Sequence, residues 1–118
     1  MLNGVGMKIN SVNDLIPNTE CYITLSSKGN AIKATYLGCV KVGYRCDFYF
    51  RFLEKKGYKN GISFFGMDEI GIGNTREEAK EGYGKIKNVL PKIYVDTENE
   101  IAGLENFPQK SRVLIEPK

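Results

Sequence analysis

Residues 44–90 read YRCDFYFRFLEKKGYKNGISFFGMDEIGIGNTREEAKEGYGKIKNVL, and their periodicity changes once along the way. From Tyr44 to Leu53 the side chains alternate. Tyr44, Cys46, Phe48, Phe50 and Phe52 share one face, and Arg45, Asp47, Tyr49, Arg51 and Leu53 share the other. Five apolar or aromatic residues at a period of two predict a strand with a buried face. The charged stretch Glu54 to Gly61 then reads as a hairpin loop and Ile62 to Met67 as the returning strand, antiparallel because the connection is short. Past Gly71 and Gly73 the period becomes helical. Ala79, Tyr83, Ile86 and Leu90 form one stripe at spacings of 4, 3 and 4, opposite Glu77, Glu81 and Lys85. Thr75 and Glu78 make a capping box at the start: the Thr75 hydroxyl accepts from the Glu78 N–H, and the Glu78 carboxylate reaches back to the Thr75 N–H. Gly82 and Gly84 each cost roughly 1 kcal/mol relative to Ala inside such a helix, and Pro91 ends it.

Outward from this unit, Ile16-Pro17-Asn18 is a turn that closes a lead-in segment. Glu20 to Ser26 alternates as a half-buried strand, and residues 27–30 turn into a second strand over 31–37. Gly38 punctuates it, and Cys39 to Val42 either continues that strand or begins another. Lys92 to Val95 reads as a short strand, residues 96–110 as a polar connection, and Arg112 to Glu116 as a last strand. The expectation is a single α+β domain over residues 1–118, with a lead-in (1–19), a sheet-plus-helix core (20–95) and a loop with a terminal strand (96–118). Its mostly antiparallel sheet is covered by one main helix over about 76–90.

At 118 residues the chain is long enough for one core. A net charge of +3, from 17 basic and 14 acidic residues, is too small and too dispersed for a phosphate-tracking surface, so DNA or RNA is not an expected partner. The N-terminus MLNGVGMKIN lacks the apolar core of a signal peptide, and no stretch reaches membrane-spanning length, which sets the expectation of a cytoplasmic protein without a membrane partner. Histidine is absent, which removes the commonest metal ligand and any Ser-His or Cys-His nucleophile pair. Three cysteines, Cys21, Cys39 and Cys46, have no zinc-site spacing and read as reduced core thiols. The expectation is therefore no enzyme, no metal and no cofactor.

Three features could hold a ligand. In the loop Gly71-Ile72-Gly73-Asn74-Thr75, backbone N–H groups and the helix dipole could bind an anion, with Asn74 adding an amide and Arg76 a charge; the same residues also read as a tight turn with a helix cap. On the strand, Arg45 and Arg51 flank Asp47 and Tyr49 and could pair with phosphates beside an aromatic ring, or form cross-strand ion pairs with solvent beyond. Phe64 and Phe65 are neighbours and must point to opposite faces, so one of them enters the core while the other offers a stacking platform or meets a second cover.

Two families share parts of this pattern. Residues 46–90, with Gly73-Asn74-Thr75-Arg76-Glu77-Glu78-Ala79 at the helix start, resemble the strand-loop-helix unit of HicB-type antitoxins, which implies a module that masks a partner protein. Asn74 stands where that family has Asp, and no DNA-binding segment accompanies the unit. The small histidine-free chain with its glycine loop, and with Phe64 ten residues before Asn74, is also similar to the phage Thoeris anti-defence sponge proteins. That likeness implies an oligomer sequestering a cyclic ADP-ribose-type signal in a bacterial host cytoplasm, with an aromatic, an Asn and arginines around the ligand; Arg45, Arg51 and Arg112 are the candidates. The leading expectation is a non-enzymatic, homo-oligomeric protein that sequesters a small nucleotide-like anion through Arg45, Arg51, Phe64, Phe65, Gly71, Gly73, Asn74 and Thr75. The alternative is the HicB-like interaction module.

Overall fold

The computed structural model describes residues 9–26, 28–54, 61–86, 91–97, 100–101 and 113–114. Its strands are β1 (Thr19–Thr24), β2 (Ile32–Val42), β3 (Arg45–Phe52), β4 (Ile62–Phe65), β5 (Gly71–Gly73) and the two-residue β6 (Val113–Leu114). One helix, α1 (Arg76–Glu81), and two 3-10 turns, Val12–Asp14 and Met67–Glu69, complete the described elements. The strands form one antiparallel sheet in the order β5-β1-β2-β3-β4-β6, and the class is α+β. Among the described residues no helix is long and apolar enough to cross a membrane.

The centre of the sheet follows from the alternation in β3. Cys46, Phe48, Phe50 and Phe52 are all buried on one face. Phe50 lies opposite Tyr36 on β2 and Phe48 opposite Phe65 on β4, so aromatic rings from three adjacent strands share one layer. Val12, Met67, Ile70, Ile72 and Ile86 close over them. Each fully buried Phe contributes about 1.5–3 kcal/mol relative to an exposed one, which makes this layer the main stabilising feature.

The opposite face is covered as well. Leu37, Val40, Tyr49, Ile62 and Ile101 form a second cluster, with Phe64 and Val95 packed against it. β2 prepares the place for this cover. Its register slips between Tyr36 and Gly38, so Leu37 is the extra residue of a bulge. Gly38 takes a φ of +138°, and a Cβ there would lie 2.9 Å from Ile101 Cδ1. The glycine therefore seats Ile101 on the sheet rather than merely ending a strand. Residues 31–42 do not split at Gly38: β2 runs through it as one strand.

Other boundaries differ from those the periodicity suggests. Tyr44 is not part of β3. It sits with Gly43 in the two-residue turn between Val42 and Arg45 and is fully exposed, while Gly43 at φ +62° supplies the left-handed residue that a tight hairpin needs. The returning strand stops at Phe65, because Met67–Glu69 coils into a 3-10 turn. The helix spans six residues rather than fifteen. Gly82 caps it and Gly84 turns at φ +73°, so the two glycines outweigh the apolar stripe. Ala79 and Ile86 are buried as that stripe requires, whereas Leu90 lies outside the described residues. Lys92–Val95 reduces to a single parallel bridge, with Val95 N–H donating to Cys39 O and Lys41 N–H donating to Val95 O. The hairpin loop at 55–60 and most of 96–118 also lie outside the described residues.

Candidate functional site

The glycine loop is filled by the protein itself. Gly71 and Gly73 form β5, whose backbone pairs with β1 through Thr24↔Gly71, Ile23↔Ile72 and Tyr22↔Gly73. The backbone of α1 lies directly on this strand. A Cβ on Gly71 would collide with the Ala79 carbonyl oxygen and sit 2.7 Å from the Tyr83 nitrogen; one on Gly73 would sit 2.6 Å from the Ala79 nitrogen. The two glycines thus permit a close approach between helix and strand, which is one of the uses of a residue without a Cβ.

Three amides around the helix start have partners within the protein too. Thr75 Oγ1 accepts from Glu78 N–H at 3.1 Å, Thr75 O accepts from Ala79 N–H at 3.0 Å, and Glu78 Oε1 accepts from Asn74 N–H at 3.2 Å. The Glu78 carboxylate therefore reaches one residue further back than the capping box predicts. Arg76 turns away from the loop. Its guanidinium donates to Ala31 O at 2.8 Å, pairs with Glu54 at 2.7 Å and lies 4.8 Å from the Tyr22 ring. The hydrogen bond from Arg76 holds the Glu54 carboxyl below its ordinary range, and Glu54 in turn raises Arg76. Lys33 joins the same surface network. Its backbone N–H donates to Glu54 and its ammonium lies 3.2 Å from Glu20, which raises its pKa.

Arg45 and Phe64 come together elsewhere. With Cys46, Asp47, Gly66, Asp68 and Glu69 they line a cleft of about 420 Å³ at the end of the sheet where β3 begins and β4 ends. Arg45 Nε donates to Asp47 Oδ1 at 3.2 Å; the arginine side chain is 68% exposed and the aspartate side chain only 10%. Phe64 is half-buried, its ring 5.0 Å from that of Tyr49, its cross-strand neighbour. The Met67–Glu69 turn supplies the facing wall, held by Glu69 Oε1 accepting from Gly66 N–H at 2.7 Å. One guanidinium thus faces three carboxylates, so the cleft favours hydrogen-bond donors and admits little extra negative charge.

The remaining candidates are dispersed. Arg51 lies six residues along β3 from Arg45, roughly 20 Å at the rise of an extended strand, so one small ligand cannot span both. Phe65 faces the larger core, its ring 6.5 Å from Phe50. Gly71, Gly73, Asn74 and Thr75 belong to the β5–α1 junction, and Arg112 lies outside the described residues. Sequence reasoning missed Gly66, Asp68 and Glu69. The G-x-x-E pattern of Gly66 and Glu69 is the signal that marks their turn.

Cys21, Cys39 and Cys46 are all buried free thiols. Burial pushes Cys21 up to about 12 and raises Cys39 further, so neither forms a thiolate near neutral pH. Among the described residues no group of three or more Cys, Asp and Glu is placed to hold a metal ion. No protein-family model matches the chain, and neither a curated protein nor a solved structure matches it.

Proposed function

We propose that this chain is a non-catalytic binding protein that sequesters a small nucleotide-like molecule, held in the Arg45–Phe64 cleft rather than at the glycine loop. The observation that carries this reading is the convergence of Arg45 and Phe64 on one cleft of about 420 Å³, inside the roughly 300–1,000 Å³ range of small-ligand sites. The exposed part of the Phe64 ring stacks a base. Asp68 and Glu69 accept from ribose hydroxyls or an exocyclic amine, as carboxylates do in dinucleotide sites. Asp47 engages only the Nε side of Arg45, leaving further guanidinium donors for a phosphate. The surplus of carboxylates restricts the ligand to few phosphates. A second copy of the chain supplies the wall that so small a domain lacks.

The test is mass spectrometry of what heat releases from the purified protein after incubation with a nucleotide extract. The native chain should release a nucleoside-containing molecule, and Phe64→Leu, which keeps an apolar contact with Tyr49, should retain at least tenfold less. An empty supernatant from the native protein overturns the reading. The alternative, a module that masks a partner protein, draws its support from a different surface: Ile16, Lys92, Ile93 and Tyr94 stand exposed, and the half-buried Lys41 reaches the Tyr94 ring.

A further inference from the structure

The strap at residues 91–93 crosses the Val12–Asp14 turn and leaves a notch of about 100 Å³. Its walls are mostly apolar, formed by Val12, Leu15, Pro17, Tyr36, Pro91 and Ile93, with Asn13 and Lys92 as the polar members. The strap is fastened by Lys92 N–H donating to Asn13 Oδ1 at 2.8 Å, and by Val95 bridging to β2. The rim is unusually apolar for an exposed surface, with Ile93 at 74%, Ile16 at 59% and Tyr94 at 37% exposure. An apolar cavity of ~150 Å³ accepts a benzene-sized guest. The notch is therefore matched to one aliphatic side chain, and too small for a free drug-sized molecule. A guest of that size gains enough only when it belongs to a larger chain that also covers the rim.

The charges next to the notch indicate what that chain carries. Lys41 lies on the same side, its ammonium 5.6 Å from the centre of the Tyr94 ring, and Lys92 forms part of the lining. Neither ammonium has a carboxylate partner among the described residues. Asp14, the carboxylate of the adjoining turn, is turned onto the N–H groups of Asn10 and Ser11. Lys92 in the lining and Lys41 near Tyr94, neither with a carboxylate partner among the described residues, complement carboxylates set around an apolar anchor.

We propose that this notch docks an acidic protein segment, which inserts one aliphatic side chain between Leu15, Pro17 and Ile93 and sets its carboxylates against Lys41 and Lys92. The proposal rests on the partner-masking alternative and names the partner's chemistry; it is independent of the cleft beside Phe64.

Selection from a random-peptide display library against the whole protein tests it. The enriched peptides should carry a Leu, Ile, Val or Met flanked by Asp or Glu. Fluorescence anisotropy with one such peptide should show at least tenfold weaker binding to Ile93→Asp and to the double variant Lys41→Glu/Lys92→Glu. Ile93 and Lys92 are exposed and Lys41 is half-buried on β2, and circular dichroism of each variant should match the native chain. Phe64→Leu should bind the peptide normally, so a failure here and a failure of the nucleotide reading are told apart. No enrichment, enrichment of basic or uncharged peptides, or indifference to these substitutions would overturn the proposal. So would a dimer in sedimentation that Ile93→Asp dissolves, since the occupant would then be a second copy.

Discussion

The β5–α1 junction and the Arg45–Phe64 cleft are both built at strand ends from glycine, acidic residues and one arginine, yet one is shut and the other open. At the junction the glycines draw two backbones together until no room for a side chain remains between them. At the cleft, Gly66 introduces a short turn that stands off from β3, and the gap stays. Arg76 is tied to Ala31 and Glu54, whereas Arg45 is held at one nitrogen by Asp47 and is otherwise in solvent. A glycine pair before a helix is therefore ambiguous: it permits close approach without specifying whether a ligand or the chain itself does the approaching.

The largest effect is expected at the closed β5–α1 junction. Gly71→Ala places a methyl group against the Ala79 carbonyl and the Tyr83 nitrogen, both fixed backbone atoms, and should cost about 3 kcal/mol in urea unfolding. A loss below about 1 kcal/mol would show that α1 does not rest on β5 as described. Thr75→Ala removes one cap hydrogen bond and should cost about 1 kcal/mol. It should leave nucleotide retention unchanged, because the cap is part of the scaffold. A Thr75→Ala variant of native stability that no longer retains ligand would return the site to the glycine loop.

The smallest effect belongs to the Glu54–Arg76 pair, which lies at the surface and is screened by salt. Its sign is nonetheless fixed. The folded pKa of Glu54 is depressed, chiefly by the hydrogen bond from Arg76. The pair therefore contributes stability above the unfolded carboxylate value of about 4.3, and the contribution disappears as pH falls through the lower folded value. Glu54→Gln should melt slightly below the native chain at pH 7 and together with it at strongly acidic pH. A gap that widens on acidification would contradict the assigned partner.

What was legible in the sequence was local. The alternation from Cys46 to Phe52 identified the buried face of β3 because side-chain direction repeats every two residues. Thr75 announced its helix for the same reason: a cap and its acceptor lie within one turn. The cover on the second face was not legible. Asp47 and Tyr49 look like solvent-side residues until Val95 and Ile101 arrive from some fifty positions away. Gly38 reads as punctuation because its purpose, admitting Ile101, depends on that distant segment. Among the eight candidate ligand residues, Arg45 and Phe64 share the cleft because β3 and β4 pair in register. Arg51 is separated by strand length, Phe65 by facing the opposite side, and Gly71, Gly73, Asn74 and Thr75 by the width of the sheet.

The three thiols have a practical consequence. Cys21, Cys39 and Cys46 sit on three adjacent strands; the first two are closed off inside the protein, whereas Cys46 borders the cleft. A thiol-reactive reagent added to the folded molecule meets only the edge of Cys46, so modification of Cys21 or Cys39 records a moment when the interior has come open. The order in which Cys21 and Cys39 react then spells out whether β1 or β2 loses its cover first.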